Sequence, residues 1–406
     1  MKKTDPIKKV ELADGSTRYR FVVDVGKKPN GKRDQRTFTY DTYKEARNER
    51  ARIINEKAVG TYVKPNKNLT VRGYFVDEWL PSKSGKKPST VACYRNALAQ
   101  FLDVYGDLAL QQLDVPHLEE LKRDMLSGKA RRTGRLGEPM TPRSVNLMLT
   151  VVSMGLKVAH KRGLVARNVG EIVEKVPSDP DAGAGRGDWQ TGDAKRFLRH
   201  VANHRLYAAF VCSALGLRRG EVCGLRWSDV DIAGDLAEER KLPKGTPSIA
   251  VVNNRVAVDG EIVEGAPKGK GRRRVPYLPI PALLVDALKT AKAQQAKEKL
   301  AAGEAYGTCP TCGAAHLVVD ELGRPYRPEW YSDQFARLAA AAGVPAVVLH
   351  GARHSAASLL ADMGVPDIVA AAWLGHTQIQ VTQGYQHVQM KTLTKTSKQL
   401  GKLLAG

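Results

Sequence analysis

Several things are scarce in this chain of 406 residues, and each scarcity narrows its class. Its five cysteines are too few for the disulfide framework that staples small secreted folds, so a reducing, cytoplasmic setting is expected. No apolar run approaches the roughly 20 residues a membrane helix needs. The uncharged stretch Leu338 to Leu349 is itself broken by Pro345. The opening residues, MKKTDPIKKVEL, carry charge without an apolar centre, unlike a secretory signal. There is no G-x-x-x-x-G-K-[ST] loop, no H-E-x-x-H pair and no acidic cluster suited to two metals, so no cofactor is expected. Internal repeats and low-complexity tracts are absent as well. Acid is also in deficit: 42 Asp and Glu face 64 Lys and Arg, for a net charge of +22. Such an excess points to a polyanionic partner, with nucleic acid ahead of an anionic membrane. Length and a hydrophobic content of 42% allow two or three domains with real cores.

Residues 1–64 read as a small basic module. RYRFVVDV (18–25) and RTFTYD (36–41) alternate like strands, and GKKPNGKRD between them supplies turn residues and the cations Lys32 and Arg33. A helix is expected over 41–60, capped by Asp41 or Thr42 and stopped by Gly60. After a linker at 61–70, helical spacing runs to about residue 176. It covers VRGYFVDEWL (71–80), a helix capped by Ser89 and ended by Gly106, one begun by Asp114 and Pro116, and a long one from Thr141-Pro142 to near Gly163. The loop KARRTGRLGEPM (129–140) carries Arg131 and Arg132, which suit a phosphate backbone or bulk solvent equally. PSDPDAGAGRGD (177–188) replaces all periodic apolar residues with Pro, Asp and Gly, which marks a domain boundary. Beyond it, strands are expected at 247–258 and 272–280, with helices on either side. The expected architecture is multidomain: a small α+β module (1–64), an all-α domain (65–178), a mainly helical α+β domain with a small antiparallel sheet (186–395), and a tail (396–406).

Three segments of the last region concentrate chemistry. In SALGLRRGEVCGLRW, Gly216 and Gly220 bracket Arg218 and Arg219, and Glu221 follows. APKGKGRRRVPYLP places Lys268, Lys270, Arg272 and Arg273 beside a predicted strand. HGARHSAASLLADMGVPDIVAAAWLGHTQIQVTQGYQHV (350–388) reads as three short helices, punctuated by Gly364, Pro366, Gly375 and Thr377. His350 and Arg353 sit at the head of the first helix, His376 before the third, and Tyr385 nine residues further on. Each group alone would pass for a cap, a solvated face or packing. Their recurrence at helix junctions allows them to converge on one point.

Taken in order, the Arg of GLRRGE, the His-x-x-Arg, the Leu-Gly-His and the Tyr nine residues later resemble the tyrosine recombinase family of phage-integrase type. The likeness covers residues 186–395 in detail and fits an upstream core-binding domain and an N-terminal arm-binding module. It implies a site-specific DNA recombinase that cuts and rejoins DNA through a 3′-phosphotyrosine. Tyr385 would be the nucleophile, Arg218 and Arg353 the phosphate clamps, His350 and His376 the rest of the pocket, and Lys268 the acid for the 5′-oxygen, with Glu221 orienting. Lys268 is favoured over Lys270 because it lies seven residues before Val275. Arg219, Lys270, Arg272, Arg273, Arg131, Arg132, Lys32 and Arg33 would contact DNA. Implied partners are double-stranded attachment sites, a homotetramer on DNA, and an excisionase or DNA-bending host factor, with no membrane.

Elementary chemistry favours the same roles. Attack on a phosphodiester builds charge on its non-bridging oxygens, which planar guanidiniums meet with paired hydrogen bonds. A phenol of pKa about 10 needs help to attack at neutral pH. Departures from the family pattern are Leu215 in place of Thr and Gly351-Ala352 in place of Asp-Leu. Cys309-x-x-Cys312 with His316 looks like half a zinc knuckle. A structural zinc takes four ligands and no second C-x-x-C exists, so an insertion with idle thiols is expected there. The tail MKTLTKTSKQLGKLLAG (390–406) has helical apolar spacing suited to docking on a neighbouring subunit. The rival readings are a DNA-binding regulator without chemistry and a type IB topoisomerase-like enzyme.

Overall fold

The computed structural model describes residues 5–12, 15–27, 31–60, 62–130, 137–177, 189–266, 276–347, 349–375 and 390–405. They divide into two compact units, Met1–Asp179 and Pro180–Gly406. Among the described residues no helix is long and apolar enough to cross a membrane.

The first unit opens with strands β1 (Ile7–Glu11), β2 (Thr17–Lys27) and β3 (Arg33–Tyr40), an antiparallel meander in that order. Alternation sends Ile7, Phe21 and Val23 to one buried face, where Phe21 sits in register with both Ile7 and Phe38. Helix α1 (Tyr43–Val59) covers that face with Ala46 and Ile53. Thr42, not Asp41, is its cap: the Thr42 hydroxyl accepts from the Glu45 amide and the Glu45 carboxylate accepts from the Thr42 amide. Gly60, with φ of 77°, ends the helix in the left-handed conformation. Strand β1 had no counterpart in the sequence reading, because its lysines mask the alternation.

The rest of this unit is helical. Residues Gly73–Trp79 form a π-type helix rather than the expected α-helix. Its spacing of five places Tyr74 and Trp79 against the same core, with Phe75 beside them. Helices α2 (Pro88–Tyr105), α3 (Val115–Ser127) and α4 (Pro142–Lys161) complete the core. Ser89 does not cap α2: Lys87 holds that position and Pro88 begins the helix, its fixed φ already suited to the first turn. Asp114 and Thr141 cap α3 and α4 as their side chains suggest. Phe75 lies so close to α4 that a Cβ on Gly155 would stand 2.1 Å from its ring, and the Tyr74 hydroxyl donates to the Gly155 carbonyl at 2.8 Å.

The second unit contains α5 (Thr191–His200), α6 (Tyr207–Ala214), α7 (Arg219–Cys223), strands β4 (Val230–Asp231), β5 (Ser248–Ala250), β6 (Asn254–Val258), β7 (Glu261–Gly265) and β8 (Tyr277–Pro279), then α8 (Ala282–Ala302), α9 (Pro328–Ala341), α10 (Leu349–Asp362), α11 (Asp367–Leu374) and α12 (Met390–Ala405). Helix α6 is buried from Ala208 through Ala214 and forms the axis of the core. Phe210 stacks on Tyr331 of α9, and Trp189 packs against Phe197 and Phe335. The single strand expected over 247–258 is two strands in different sheets: β5 pairs with β4 and β8, while β6 pairs with β7. Asn253 causes the break, since its amide donates to the Gly224 carbonyl and to Glu264, both at 2.9 Å. The strand expected at 272–280 is present as β8 only, and residues 267–275 lie outside the described residues.

Helix α12 corrects the expectation for the tail. Leu393, Leu400 and Leu404 are buried in the core of their own unit, against α5, α8 and β8. A Cβ on Gly401 would stand 2.3 Å from Pro281, so the helix rests directly on the start of α8.

Candidate active site

Four chain breaks in the second unit build the site. Helix α6 ends at Gly216, whose φ of 92° is left-handed; a side chain there would also meet Leu374 Cδ2 at 2.7 Å and Ala356 Cβ at 3.0 Å. Glycine therefore turns the chain and lets α10 and α11 approach. Two residues on, Arg218 is the N-cap of the short α7, with extended backbone. Helix α11 starts after Pro366 and stops at Gly375, φ 65°, as its sequence predicts. Helix α10 brings Arg353 beneath both.

The two arginines meet at the end of α11. Arg218 Nη2 donates to the Gly375 carbonyl at 3.0 Å, and Arg353 Nη2 donates to the adjacent Leu374 carbonyl. Arg353 Nη1 also donates to the Gly216 carbonyl at 2.8 Å. Trp373 Nε1 donates to the Leu215 carbonyl at 2.9 Å, so the α6 terminus is tied to α11 from two sides. Carbonyls at helix C-termini carry partial negative charge and lack intrahelical donors, so guanidiniums satisfy both needs. Arg353 is buried, with 3% exposure, whereas the Arg218 side chain is 24% exposed and reachable.

Glu221 is the acid that orients Arg218. Its carboxylate is fully enclosed and accepts from the Arg218 amide at 2.9 Å and from Arg218 Nη1 at 2.8 Å. One side chain thus caps α7 and aims the guanidinium. Arg219 points elsewhere: it donates to the Ser332 hydroxyl at 3.2 Å and lies 3.8 Å from Glu329 on α9. Of the neighbouring arginines, Arg218 alone joins Arg353. Burial pushes the thiols of Cys212 and Cys223, on the flanking helices, up to about 12, so neither supplies a thiolate nucleophile.

The remaining sequence candidates are distributed as follows. His350 lies in the first turn of α10, one turn before Arg353. Lys268, Lys270, Arg272, Arg273, Arg131, Arg132, His376 and Tyr385 lie outside the described residues. Lys268 to Arg273 fall between β7 and β8, and His376 directly follows Gly375. Lys32 and Arg33 are exposed at the start of β3, where Arg33 lies 3.9 Å from Asp24. Gly351, where the family pattern has Asp, sits under Val347: a Cβ there would be 2.3 Å from Val347 Cγ1.

The sequence reading missed Trp373 and Glu264. Trp373 precedes the Leu-Gly-His by one residue, a position from which a bulky donor could have been suspected. Glu264 sits 45 residues before Cys309, with no spacing to betray it, yet its carboxylate and the ligand atoms of Cys309, Cys312 and His316 all lie within 4.8 Å of one another.

Residues 193–392 match the phage integrase family. The "Tyrosine recombinase XerC-like" protein of Caldanaerobacter subterraneus subsp. tengcongensis is 24% identical over 99% of this chain and 99% of its own length. Among solved structures, the Tn1549 transposon integrase in complex with a circular intermediate DNA has a TM-score of 0.58 at 16% identity, covering 82% of this chain and all of that one. The lambda integrase tetramer bound to a Holliday junction has a TM-score of 0.50 at 16% identity, covering 96% of this chain and 100% of that chain. With the ordered motifs and the two arginines gathered at the α11 terminus, these likenesses place residues 193–392 in the phage integrase family of tyrosine recombinases.

Proposed function

We propose that this protein is a site-specific DNA integrase whose catalytic unit assembles around the α11 terminus. The carrying observation is the convergence of Arg218 and Arg353 on the consecutive carbonyls of Leu374 and Gly375, from residues 135 positions apart in the chain (353 − 218) and directly before His376. A phosphodiester brought to Arg218 meets a guanidinium already aimed by Glu221, which avoids ordering it during the reaction. The Tyr385 oxygen attacks phosphorus, forms the phosphotyrosine bond, and displaces the 5′-oxygen. Lys268 protonates that oxygen, and His350 and His376 hold or return the tyrosine proton. The phosphotyrosine conserves the energy of the cleaved bond, so religation needs only the reverse attack by a 5′-hydroxyl.

Around this centre, residues 1–64 serve as the arm-binding module and 65–178 as the core-binding domain, with Lys32, Arg33, Arg131, Arg132, Arg219, Lys270, Arg272 and Arg273 on phosphate. Phosphate contacts of this kind supply affinity and register rather than sequence choice. A homotetramer on paired attachment sites, as in the lambda integrase tetramer bound to a Holliday junction, integrates a phage or mobile element. An excisionase or a DNA-bending factor sets direction.

The test is a suicide substrate, nicked so that the cleaved end diffuses away. The parent protein, without added metal or nucleotide, is expected to form a covalent protein–DNA adduct that Tyr385→Phe does not form. Failure of the parent to form adduct on the attachment sites of its own element, while still binding them, leaves the non-catalytic regulator as the reading. Relaxation of supercoils without sequence preference instead favours the topoisomerase.

A further inference from the structure

The cluster around Glu264 is not used by the proposed reaction. Cys309 and Cys312 flank a tight turn in which the Gly313 amide donates to the Cys309 carbonyl at 2.7 Å and the Cys309 amide to the Ala314 carbonyl at 3.1 Å. Gly313 has a φ of 69°, a left-handed residue that closes the turn and brings both sulfurs to one side. His316, fully buried, follows in the strand-like stretch that runs beside Arg226: the Trp227 amide donates to the Ala315 carbonyl and the Leu317 amide to the Leu225 carbonyl, both at 3.0 Å. Glu264 reaches the same point from β7. Two sulfurs, one imidazole nitrogen and one carboxylate oxygen therefore face one another within 4.8 Å.

The imidazole shows that something is owed to this point. His316 Nδ1 lies 3.1 Å from the Ala314 carbonyl and so carries a hydrogen toward it. Nε2 is buried, has no hydrogen-bond partner, and looks at Glu264 Oε1 across 3.3 Å. A neutral ring would thus aim a lone pair at a carboxylate oxygen, an unfavourable pairing that a cation between them resolves. A ligating histidine whose other ring nitrogen donates to a backbone carbonyl is the usual outer support of a bound metal. The surrounding charge also suits a cation plus thiolates. Two thiolates and a carboxylate sum to −3, and Zn2+ leaves −1. Arg226 meets Glu264 Oε2 at 3.0 Å and Arg255 meets Cys309 Sγ at 3.1 Å, so guanidiniums stand ready around that residual charge.

We propose that Glu264, Cys309, Cys312 and His316 form a structural zinc site. Two sulfurs, one nitrogen and one oxygen make a closed tetrahedral set for Zn2+, with no position left for substrate. Binding releases the two thiol protons to solvent. The exposed Cys312 gives the ion its entry, and the buried Cys309 and His316, with the Glu264 side chain only 5% exposed, give rigidity. The ion staples the end of the β6–β7 hairpin to the insertion 306–317. That hairpin leads straight into the Lys268 segment, so the staple sets where the lysine-bearing segment starts; this last consequence rests on the proposed function, whereas the site itself does not.

The experiment uses the full chain, purified without chelator. Elemental analysis is expected to find about one zinc per chain in the parent and near none in Cys312→Ser, whose exposed position spares the fold. As a second readout, the parent is stripped of metal and given Co2+, when thiolate-to-cobalt charge-transfer absorption is expected. Zn2+ is also expected to protect the exposed Cys312 from alkylation while leaving the exposed Cys93 reactive. No uptake of Zn2+ or Co2+ by the parent, unchanged alkylation of Cys312 with Zn2+ present, or full zinc retention by Cys312→Ser would each overturn the proposal. None of these readouts depends on recombination, so a failed DNA-cleavage assay leaves them intact.

Discussion

Glu221→Gln is the substitution that probes the α11 terminus most directly. Glutamine keeps the shape of glutamate but replaces one acceptor oxygen with a donor amide. Both carboxylate oxygens of Glu221 accept from donors, the Arg218 amide at 2.9 Å and Arg218 Nη1 at 2.8 Å. Whichever way the new amide turns, its NH2 faces a donor. A hydrogen bond to a charged group contributes about 1.5–3 kcal/mol, and breaking a buried charge pair costs about 3–5 kcal/mol. Because one of the two bonds survives and Arg218 keeps partial access to water, a loss of about 2–4 kcal/mol is expected. For a unit of this size that lowers the unfolding midpoint by about 5–15 °C. Urea unfolding followed by tryptophan fluorescence reports mainly on the second unit, which holds Trp189, Trp227, Trp330 and Trp373, while the first holds only Trp79. The same variant should form covalent adduct more slowly, because its guanidinium is no longer aimed. Removing Arg218 first, in Arg218→Ala, should shrink the effect of Glu221→Gln, since only the backbone amide then remains to be lost. A variant within about 0.5 kcal/mol of the parent, cleaving at the parent rate, would refute the claim that Glu221 orients the site.

Two further substitutions test the scaffold. Gly216→Ala places a Cβ 2.7 Å from Leu374 Cδ2 in a left-handed backbone, so conformational strain of about 1–2 kcal/mol adds to overpacking of about 1–3 kcal/mol; calorimetry should show the loss, and a parent-like midpoint would contradict the close approach. Glu298→Gln removes the charge that Arg205 grips through Nε at 2.7 Å and Nη2 at 2.6 Å, with side-chain exposures of only 17% and 10%. The Arg205 hydrogen bonds hold the Glu298 carboxyl below its ordinary value of 4.5, so its stabilisation is fully present above that pH and is lost as the pH falls through the lowered folded value. Urea midpoints should therefore separate parent and variant by about 1–3 kcal/mol at pH 7 and converge on acidification; a gap independent of pH would argue against the ion pair.

Local signals in the chain were enough to identify the punctuation of the helices and the order of the chemistry. Asp114 and Thr141 cap through side-chain bonds to amides within three residues, and Gly60, Gly375 and Pro366 stop or start helices through their own backbone, so neighbours a few residues away suffice to reveal them. The basic excess and the spacing from Arg218 through Arg353 to Tyr385 are likewise properties of the string itself. Packing decided the rest. Only the fold turns Arg218 rather than Arg219 toward Arg353, because Glu221 captures the first while Ser332 and Glu329 draw the second to α9. Only the fold splits residues 247–258 between two sheets, since the amide of Asn253 must satisfy the Gly224 carbonyl. The fourth group beside Cys309, Cys312 and His316 follows the same rule. Glu264 carries no mark in sequence: Arg255, opposite it on the same hairpin, already pairs with its carboxylate, and His316 and Cys309 reach it only because the insertion folds against that hairpin.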